Sequence, residues 1–406
     1  MPDAVIVSVA RSPIGRARKG SLRGMRGDDL AAQMVQAALG DVPELDPGTI
    51  TDLMLGCGMP GGEQGFNIAR VVAVLAGLDT VAGVTVNRYC ASSLQTTRMA
   101  YHAIKAGEGH AYISAGVEMI SRFDKGNSDT LEGTMNPAFD EAQGRTEAGA
   151  EASLAEWHDP RTDGRLPDVY IPDGQTAENV AALYGISRNQ QDEFALRSQR
   201  NAEKAIVDGF FAREICPVTT PDGHTVAADD SPRPNTTQEA LAKLSPAFRS
   251  EGTVTAGNCC PLNDGAAALV IMSDVRAKEL GITPLARIRS TGVHALSPEI
   301  MGVGPVGATR NALDSAGMDV TDVDLFEINE AFAVQVIASA RDLAIPEDKL
   351  NVHGGAIALG HPFGMTGARM TATLLNGLRS RDKEIGVETM CIGGGMGMAM
   401  VLQRLN

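Results

Sequence analysis

The chain has 406 residues, of which 43% are hydrophobic and 21% are charged. This composition is typical of a soluble globular protein with two or three domains and a large core. A formal net charge of −15 disfavours wholesale binding to nucleic acid or to an anionic membrane. The six cysteines include no CxxC pair, which excludes a zinc ribbon or a thioredoxin-like motif and predicts no metal site.

No apolar run in the sequence reaches the roughly 18 residues that a membrane-spanning helix needs. The N-terminus enters a strand pattern directly, without the charged and then apolar stretches of a signal peptide. We therefore expect a protein of the reducing cytoplasm.

Residues 1–119 alternate strand patterns with helical ones. Strands are predicted over 5–9, 52–56, 84–86 and 111–115, and helices over 28–39, 67–75 and 91–105. This alternation predicts a mostly parallel sheet covered by helices on both faces.

Between residues 120 and 252 the chain changes in character. Pro, Gly, Asp and Thr are frequent over 122–172, which predicts long loops. A helix is predicted over 176–184, and a capping box of Ser187 and Gln190 opens a longer one that Gly209 ends. A linker would not carry such helices, so we interpret this region as an insertion that covers an α/β core.

From residue 253 the α/β pattern resumes. Strands are predicted over 266–272, 286–291, 325–328, 388–392 and 398–402, and helices over 308–316, 330–343 and 367–378. Both flanks of the insertion place a Cys or His in a turn at a strand–helix junction, which predicts an internal duplication.

Cys90 stands where a β-branched run ends and a helix of small residues begins. The unpaired N–H groups and the positive dipole end of that helix predict a stabilised thiolate. For a single cysteine in an apolar stretch, a buried structural role is the commoner alternative. His361 and Cys391, each in a glycine-dense turn, favour the catalytic interpretation.

Four segments carry a family resemblance, and they read VNRYCASS, NEAFA, GGAIALGHP and CIGGG. Together with RSPIG near the N-terminus and GTVTAGN at 252–258 they resemble, in this order, the thiolases, the acyl-CoA:acetyl-CoA C-acyltransferases. The resemblance implies a five-layer αβαβα core of two duplicated halves with an inserted loop domain. The N-terminal half would comprise 1–119 completed by 253–275, the CoA-binding insertion 120–252, and the C-terminal half 276–406.

The resemblance also implies catalytic roles. Cys90 would be the nucleophile that forms an acyl-thioester, and His361 the base that takes a proton from Cys90 and from CoA. Cys391 would be the second acid/base, which requires surroundings that favour its thiolate. Asn329, through a water, and the N–H groups of Cys90 and Gly393 would help to stabilise two oxyanions.

These residues have structural interpretations as well. His361 could cap a turn, and residues 393–395 could form a tight turn with no other role. Asn329 could be the N-cap of the helix predicted over 330–343. Asn329 could serve both purposes. Glycine at 393 would also let the backbone approach a ligand closely.

The substrate-binding residues implied by the resemblance are Arg233, Phe248, Ala256, Cys260 and Met301. Arg233 would offer charge-assisted donors to phosphate, although a solvated loop arginine is nearly as common. Met301 could equally fill the core. No Walker-type or GxGxxG loop is present, so CoA binding rests on the resemblance.

Two positions depart from the family pattern. Asp173 stands where degradative members have Met, and an unpaired carboxylate is costly beside an apolar acyl pocket. Either it faces solvent or the pocket accepts a polar group. Cys260 stands where many members have Ser, and a thiol is a weaker hydrogen-bond partner.

The resemblance thus implies an acyltransferase of fatty acid β-oxidation that cleaves 3-ketoacyl-CoA with CoA into acetyl-CoA and a shortened acyl-CoA. The alternative within the class is an acetyl-CoA C-acetyltransferase that makes or cleaves acetoacetyl-CoA. A non-catalytic acyl-CoA-binding protein is a remote alternative. CoA is expected as a substrate and no cofactor is expected. The expected partners are acyl-CoA, CoA and further copies of the chain in a homodimer or homotetramer, with no nucleic acid and no membrane insertion.

Overall fold

The computed structural model describes residues 1–125, 129, 131–151 and 157–406. Its strands are β1 (Ala4–Arg11), β2 (Gly15–Arg16), β3 (Asp52–Gly56), β4 (Ala82–Val86), β5 (Ala111–Met119), β6 (Val218–Thr219), β7 (Thr225–Val226), β8 (Asn263–Ser273), β9 (Ala286–Ala295), β10 (Leu325–Ile328), β11 (Ile385–Ile392) and β12 (Met396–Arg404). Its helices are α1 (Gly27–Gly40), α2 (Ile68–Leu75), α3 (Ser92–Ala106), α4 (Asp140–Glu151), α5 (Asp173–Tyr184), α6 (Arg188–Val207), α7 (Gln238–Ala242), α8 (Asp274–Leu280), α9 (Gly304–Ala316), α10 (Ala333–Asp342), α11 (Ala356–Leu359) and α12 (Thr366–Ser380). None of these helices combines the length and apolar character needed to cross a bilayer.

Four strands follow the same order in the two halves of the main sheet, and the N-terminal half has one further strand, β4, at its edge. The N-terminal half runs β4-β3-β5-β8-β1 and the C-terminal half runs β10-β11-β12-β9. In the first half β1, β3, β4 and β5 share one direction and β8 is antiparallel to them. In the second half β12 is likewise the strand that runs against β9, β10 and β11. The predicted duplication is confirmed, and so is the parallel character of the strands within 1–119.

Alternating side chains along the strands create the layers. Val5 packs with α1 and α2, whereas its neighbour Ile6 faces a central layer that contains α3 and α12. Along β11, Met390 points into the same central layer and Cys391 points toward α9 and α10. This period of two puts helices on both sides of each half-sheet, which confirms the five-layer αβαβα core.

The inserted region contains α4 to α7 and the small hairpin of β6 and β7. The predicted capping box is confirmed, because the Ser187 side chain accepts the Gln190 N–H and the Gln190 side chain accepts the Ser187 N–H. Helix α5 packs against α10 and against the turn Pro298–Val303. The insertion is therefore anchored on the C-terminal half.

The helix predicted over 330–343 begins later, at Ala333, with Phe332 as its N-cap residue. The segment before it is extended, because Asn329 N–H donates to the Thr389 carbonyl and Cys260 N–H donates to the Ala331 carbonyl. These sheet-like bonds prevent a helical turn at 329–332. The interpretation of Asn329 as an N-cap is therefore wrong, and its side chain is left to other partners.

The two halves touch backbone to backbone at the centre of the molecule. A side chain on Gly116 of β5 would overlap the carbonyl oxygen of Gly364, and one on Gly367 of α12 would overlap the backbone of Leu94 in α3. The Ala368 N–H also donates to Ser93 Oγ at 3.0 Å. Such close approach is possible only where there is no Cβ.

Replacing Gly116 with Ala should therefore destabilise the junction. We expect Gly116→Ala to lower the free energy of unfolding by about 1–3 kcal/mol, the usual range for overpacking, as measured by urea denaturation. The control is Gly144→Ala in α4, where an added methyl group meets open space. Equal denaturation midpoints for the two variants would contradict the backbone contact.

Candidate active site

Cys90 lies in a short 3-10 turn, Tyr89–Ala91, between β4 and α3, and is 5% exposed. Tyr89 has a φ of 44°, in the left-handed region that residues other than glycine rarely adopt. Polar side chains hold this conformation: Asn87 Oδ1 accepts the Tyr89 N–H at 2.8 Å, and Ser92 Oγ donates to the Tyr89 carbonyl at 2.6 Å. A strained turn fixed in this way is typical of a functional site.

The surroundings of Cys90 favour its thiol form. Burial raises the pKa of Cys90 well above its ordinary value, and the charges of Asp173, Cys391 and Cys260 add to the rise. The neighbouring Gly393 N–H lowers the pKa by less. The prediction of a resting thiolate is therefore wrong, because desolvation outweighs the helix end. Cys90 needs a base.

His361 carries its proton on Nδ1. Thr366 Oγ1 lies 2.6 Å from His361 Nδ1 and 2.7 Å from the Pro362 carbonyl oxygen. The single hydroxyl proton goes to the carbonyl, so the hydroxyl oxygen must accept from Nδ1–H. The lone pair of Nε2 is left facing Asn329 Nδ2 at 3.3 Å. Burial, with Arg369 adding to it, lowers the pKa of His361 to about 3, so the imidazole is a neutral base at physiological pH.

Asn329 and Cys391 reach the site from neighbouring parallel strands. Ile328 at the end of β10 pairs with Thr389 of β11, so the residues that follow lie at the same edge of the sheet. Asn329 is 1% exposed, and its Oδ1 has no hydrogen-bond partner among the described residues. An unpaired buried acceptor of this kind is a natural site for a bound water or substrate donor.

Cys391 is fully buried, and burial raises the pKa of its thiol well above the ordinary value, with Asp173 adding to the rise. It is close enough to Cys90 and Cys260 to raise the pKa values of both. The turn that follows needs glycine, because residues 394 and 395 have φ values of 77° and 80°. Two thiols from different halves of the chain thus share one buried space.

The sequence matches known families over nearly its whole length. A model described as the thiolase N-terminal domain matches residues 4–275, and one described as the thiolase C-terminal domain matches residues 282–404. The chain belongs to the thiolase family. A 3-ketoacyl-CoA thiolase of Bacillus subtilis (strain 168) is 43% identical, with 99% of this chain and 100% of that protein covered.

Two further relatives agree with this assignment. A 3-ketoacyl-CoA thiolase of Aeromonas hydrophila subsp. hydrophila is 44% identical, with 100% of both chains covered. The crystal structure of the Bacillus anthracis acetyl-CoA acetyltransferase is similar with a TM-score of 0.87 and 37% identity, covering 100% of this chain and 99% of that one. Thiolases act on CoA thioesters, so CoA is a substrate in this family.

The substrate-binding residues implied by the thiolase resemblance fall into two groups. Cys260 lies beside Cys391, and Met301 is buried in the apolar cluster that contains Cys391. Phe248 is half-buried, with its ring 6.1 Å from that of Phe332. Arg233 and Ala256, in contrast, lie at the surface. Arg233 is near enough to Cys259 to lower the pKa of that thiol, which burial nevertheless raises to about 11.

Sequence reasoning missed Glu118 of β5. Its buried carboxylate accepts hydrogen bonds from the Gly58 N–H at 2.7 Å, the Gly364 N–H at 3.0 Å and Gln64 Nε2 at 2.8 Å. Gly364 belongs to the loop that bears His361, so Glu118 ties this loop to the N-terminal half. A carboxylate within an otherwise apolar strand was the available signal.

Asn263 at the start of β8 was also missed. Its Oδ1 accepts the His361 N–H at 3.1 Å, and its Nδ2 donates to the Gly15 carbonyl and to Ser231 Oγ, both at 3.0 Å. It therefore connects the loop of His361 to the N-terminal half and to the insertion. The sequence around it carries no signal beyond a polar residue before an apolar strand.

The tautomer of His361 depends on the Thr366 hydroxyl. Thr366→Val removes the acceptor of Nδ1–H, so we expect acylation of Cys90 to slow about tenfold, the equivalent of one hydrogen bond of about 1.4 kcal/mol. The rate can be followed by mass spectrometry after brief exposure to acetyl-CoA. The control is Thr309→Val in α9, where the buried hydroxyl has no partner among the described residues. An unchanged rate in Thr366→Val would rule out this role of the hydroxyl.

Proposed function

We propose that this thiolase cleaves 3-ketoacyl-CoA with CoA, giving acetyl-CoA and an acyl-CoA shortened by two carbons. The observation that carries the proposal is the gathering of two buried thiols around one space, beside a loop that presents a neutral imidazole. The full-length similarity to 3-ketoacyl-CoA thiolases supports it. CoA is a substrate in this scheme, and the side chains supply the acid and base groups without a cofactor.

In the first step Cys90 attacks carbon 3 of the substrate. Its proton passes to His361 Nε2, which carries the lone pair because the ring proton is on Nδ1, and this transfer replaces the hydrogen bond from Asn329 Nδ2. Thiol and imidazole are both neutral beforehand, so the transfer creates the reactive thiolate only when substrate is in place. A nucleophile activated by an adjacent base is the usual route to an acyl-enzyme.

In the second step the bond between carbons 2 and 3 breaks. The electron pair leaves on carbon 2 as the enolate of acetyl-CoA, and the Cys391 thiol protonates it to give acetyl-CoA. The raised pKa of Cys391 keeps this thiol protonated and ready to act as an acid. The acyl group remains on Cys90 as a thioester.

Before the third step His361 returns its extra proton to the Cys391 thiolate, which restores both groups. A second CoA then gives its thiol proton to His361 Nε2 and attacks the acyl carbonyl. The carbon–sulfur bond to Cys90 breaks, the Cys90 sulfur takes the proton back from His361, and the shortened acyl-CoA leaves. The peptide N–H groups of Cys90 and Gly393 stabilise the oxyanion, and His361 with Asn329 stabilises the enolate of the second step. Each such donor contributes about 10²–10³ in rate.

A second candidate within the class is synthesis or cleavage of acetoacetyl-CoA. The Bacillus anthracis structure that the chain resembles is an acetyl-CoA acetyltransferase, and the same groups perform both reactions. A chain-length series of 3-ketoacyl-CoA substrates decides between the two, since the first requires cleavage of chains longer than four carbons.

The working form is proposed to be a cytoplasmic homodimer or homotetramer. Strand β4 lies at the end of the sheet, and Phe66, Val74 and Leu75 nearby in the chain are exposed. An uncovered edge strand beside apolar side chains favours association with another chain. Arg233, at the surface of the insertion, and Ala256, at the surface just after it, are proposed to meet the CoA nucleotide and pantetheine.

Removing the two thiols should separate the half-reactions. We expect Cys90→Ala to lose the acetyl adduct and to lower kcat/KM by about 10⁴-fold or more. Cys391→Ala should keep the adduct but slow cleavage by about 10²–10⁴-fold. Cys216→Ala, outside the site, is the control. An adduct that persists in Cys90→Ala would reassign the nucleophile, and failure of the wild-type chain to cleave any 3-ketoacyl-CoA would refute the function.

The pH dependence of acylation tests the state of His361. Its pKa is lowered to about 3, so the basic form is fully present above that value and is lost only at lower pH. The Asp173 carboxyl, whose pKa burial raises to about 6, would titrate in the working range and is removed by Asp173→Asn. In that variant we expect a flat acylation rate from pH 5.5 to 8. An acid limb centred near pH 6.5 would show that His361 titrates in its ordinary range.

A further inference from the structure

Asp173 places a carboxylate at the reacting thiols. It is the first residue of α5 and is partly buried. Its charge raises the pKa values of Cys90, Cys260 and Cys391 alike. Its Oδ1 lies 3.6 Å from the position that a Cβ on Gly393 would occupy, and the Gly393 N–H is close enough to Cys90 to lower the pKa of that thiol. An acyl group on Cys90 therefore has this carboxylate as a neighbour.

Among the described residues, no side chain or peptide N–H donates a hydrogen bond to this carboxylate, and none of their cations pairs with it. The carboxylate does not cap its own helix, because the Gln175 and Thr176 N–H groups donate to the Pro172 carbonyl instead. Desolvation is the sole cause of its raised pKa. A structural role in α5 thus leaves the carboxylate unexplained. The side chain is partly open to solvent, so the carboxylate would lose water without gaining a partner when an apolar acyl group fills the space beside it.

The surroundings of Asp173 indicate where a partner would come from. The ring of Phe248 packs against Gly174, the next residue, and Met301 lines the adjoining apolar cluster. The Tyr89 ring lies on its other side, since the same Cβ position on Gly393 is within 3.7 Å of it. The carboxylate is thus an acceptor on a wall of aromatic, aliphatic and thiol side chains. A purely aliphatic acyl chain would remove water from it and offer nothing in return.

We propose that Asp173 is a specificity-determining residue that accepts a hydrogen bond from a hydroxyl group on the acyl chain carried by Cys90. This inference rests on the proposed thiolase function. The substrate class is then a 3-ketoacyl-CoA in which the acyl group transferred to Cys90 bears a hydroxyl near its thioester carbon. The same charge disfavours acyl chains that end in a carboxylate, because like charges repel.

The test is acyl exchange between labelled CoA and two acyl-CoAs of the same shape. One is 3-hydroxybutanoyl-CoA, as separate enantiomers, and the other is 3-methylbutanoyl-CoA, in which a methyl group replaces the hydroxyl. A site that binds a substrate hydroxyl rejects the analogue that lacks it. We expect the wild-type chain to prefer one hydroxy enantiomer by about 10–100-fold in kcat/KM.

Three variants complete the experiment. Asp173→Leu should reduce the preference to about onefold or reverse it, whereas Asp173→Asn, which keeps an oxygen acceptor of the same shape, should retain an intermediate preference. The control Asp140→Leu makes the same change at the exposed first residue of α4 and should keep the wild-type preference. Asp173→Asn also preserves the test if the leucine variant does not fold.

The outcomes of this experiment test the role of Asp173 separately from the proposed thiolase function. Equal rates for the hydroxy and methyl compounds in the wild-type chain, or the same preference in wild type and Asp173→Asn, would overturn the role of Asp173 while leaving the thiolase intact. Absence of exchange with acetyl-CoA and with every other acyl-CoA would instead refute the proposed function.

Discussion

The site depends on a backbone contact between the two halves of the chain. Cys90 comes from the N-terminal half, whereas His361, Asn329 and Cys391 come from the C-terminal half. The approach is possible because glycines occupy the contact, so that the start of α3 and the loop before α12 meet without side chains between them. The carboxylate of Glu118 adds hydrogen bonds across this junction. The positions of the site residues therefore depend directly on the close packing of the core at this junction.

Burial gives the site its chemical character. It raises the pKa values of Cys90 and Cys391 and lowers that of His361, so all three groups are neutral at rest. Desolvation disfavours the charged form in each case. In the proposed mechanism, proton transfer within the site therefore creates charge only once substrate is bound. Asp173 is the exception, since it stays charged above a pH of about 6.

Local patterns predicted most helices and strands, because alternating and helical periodicities follow from which side chains are buried. They failed where partners distant in the chain decide the structure. Asn329 was expected to start a helix, but Thr389 and the segment around Cys260 hold it extended. The thiolate of Cys90 was expected from its helix, yet burial by the other half reverses the effect. Thr366 could not be assigned, because its role appears only once His361 has a fixed orientation.

The duplicated topology explains why the two halves contribute different chemistry from equivalent places. Helices α3 and α12 each precede the matching strands β5 and β11, and the turns before them carry Cys90 and His361. Near the ends of those strands stand Glu118 and Cys391, which pair with glycines of β8 and β12. Glu118 holds the loop of the other half through hydrogen bonds, whereas Cys391 places its thiol near Cys90. Because the two copies face each other across α3 and α12, the turns that carry Cys90 and His361 and the strand that carries Cys391 lie near one another, and a change at one equivalent position need not be matched at the other.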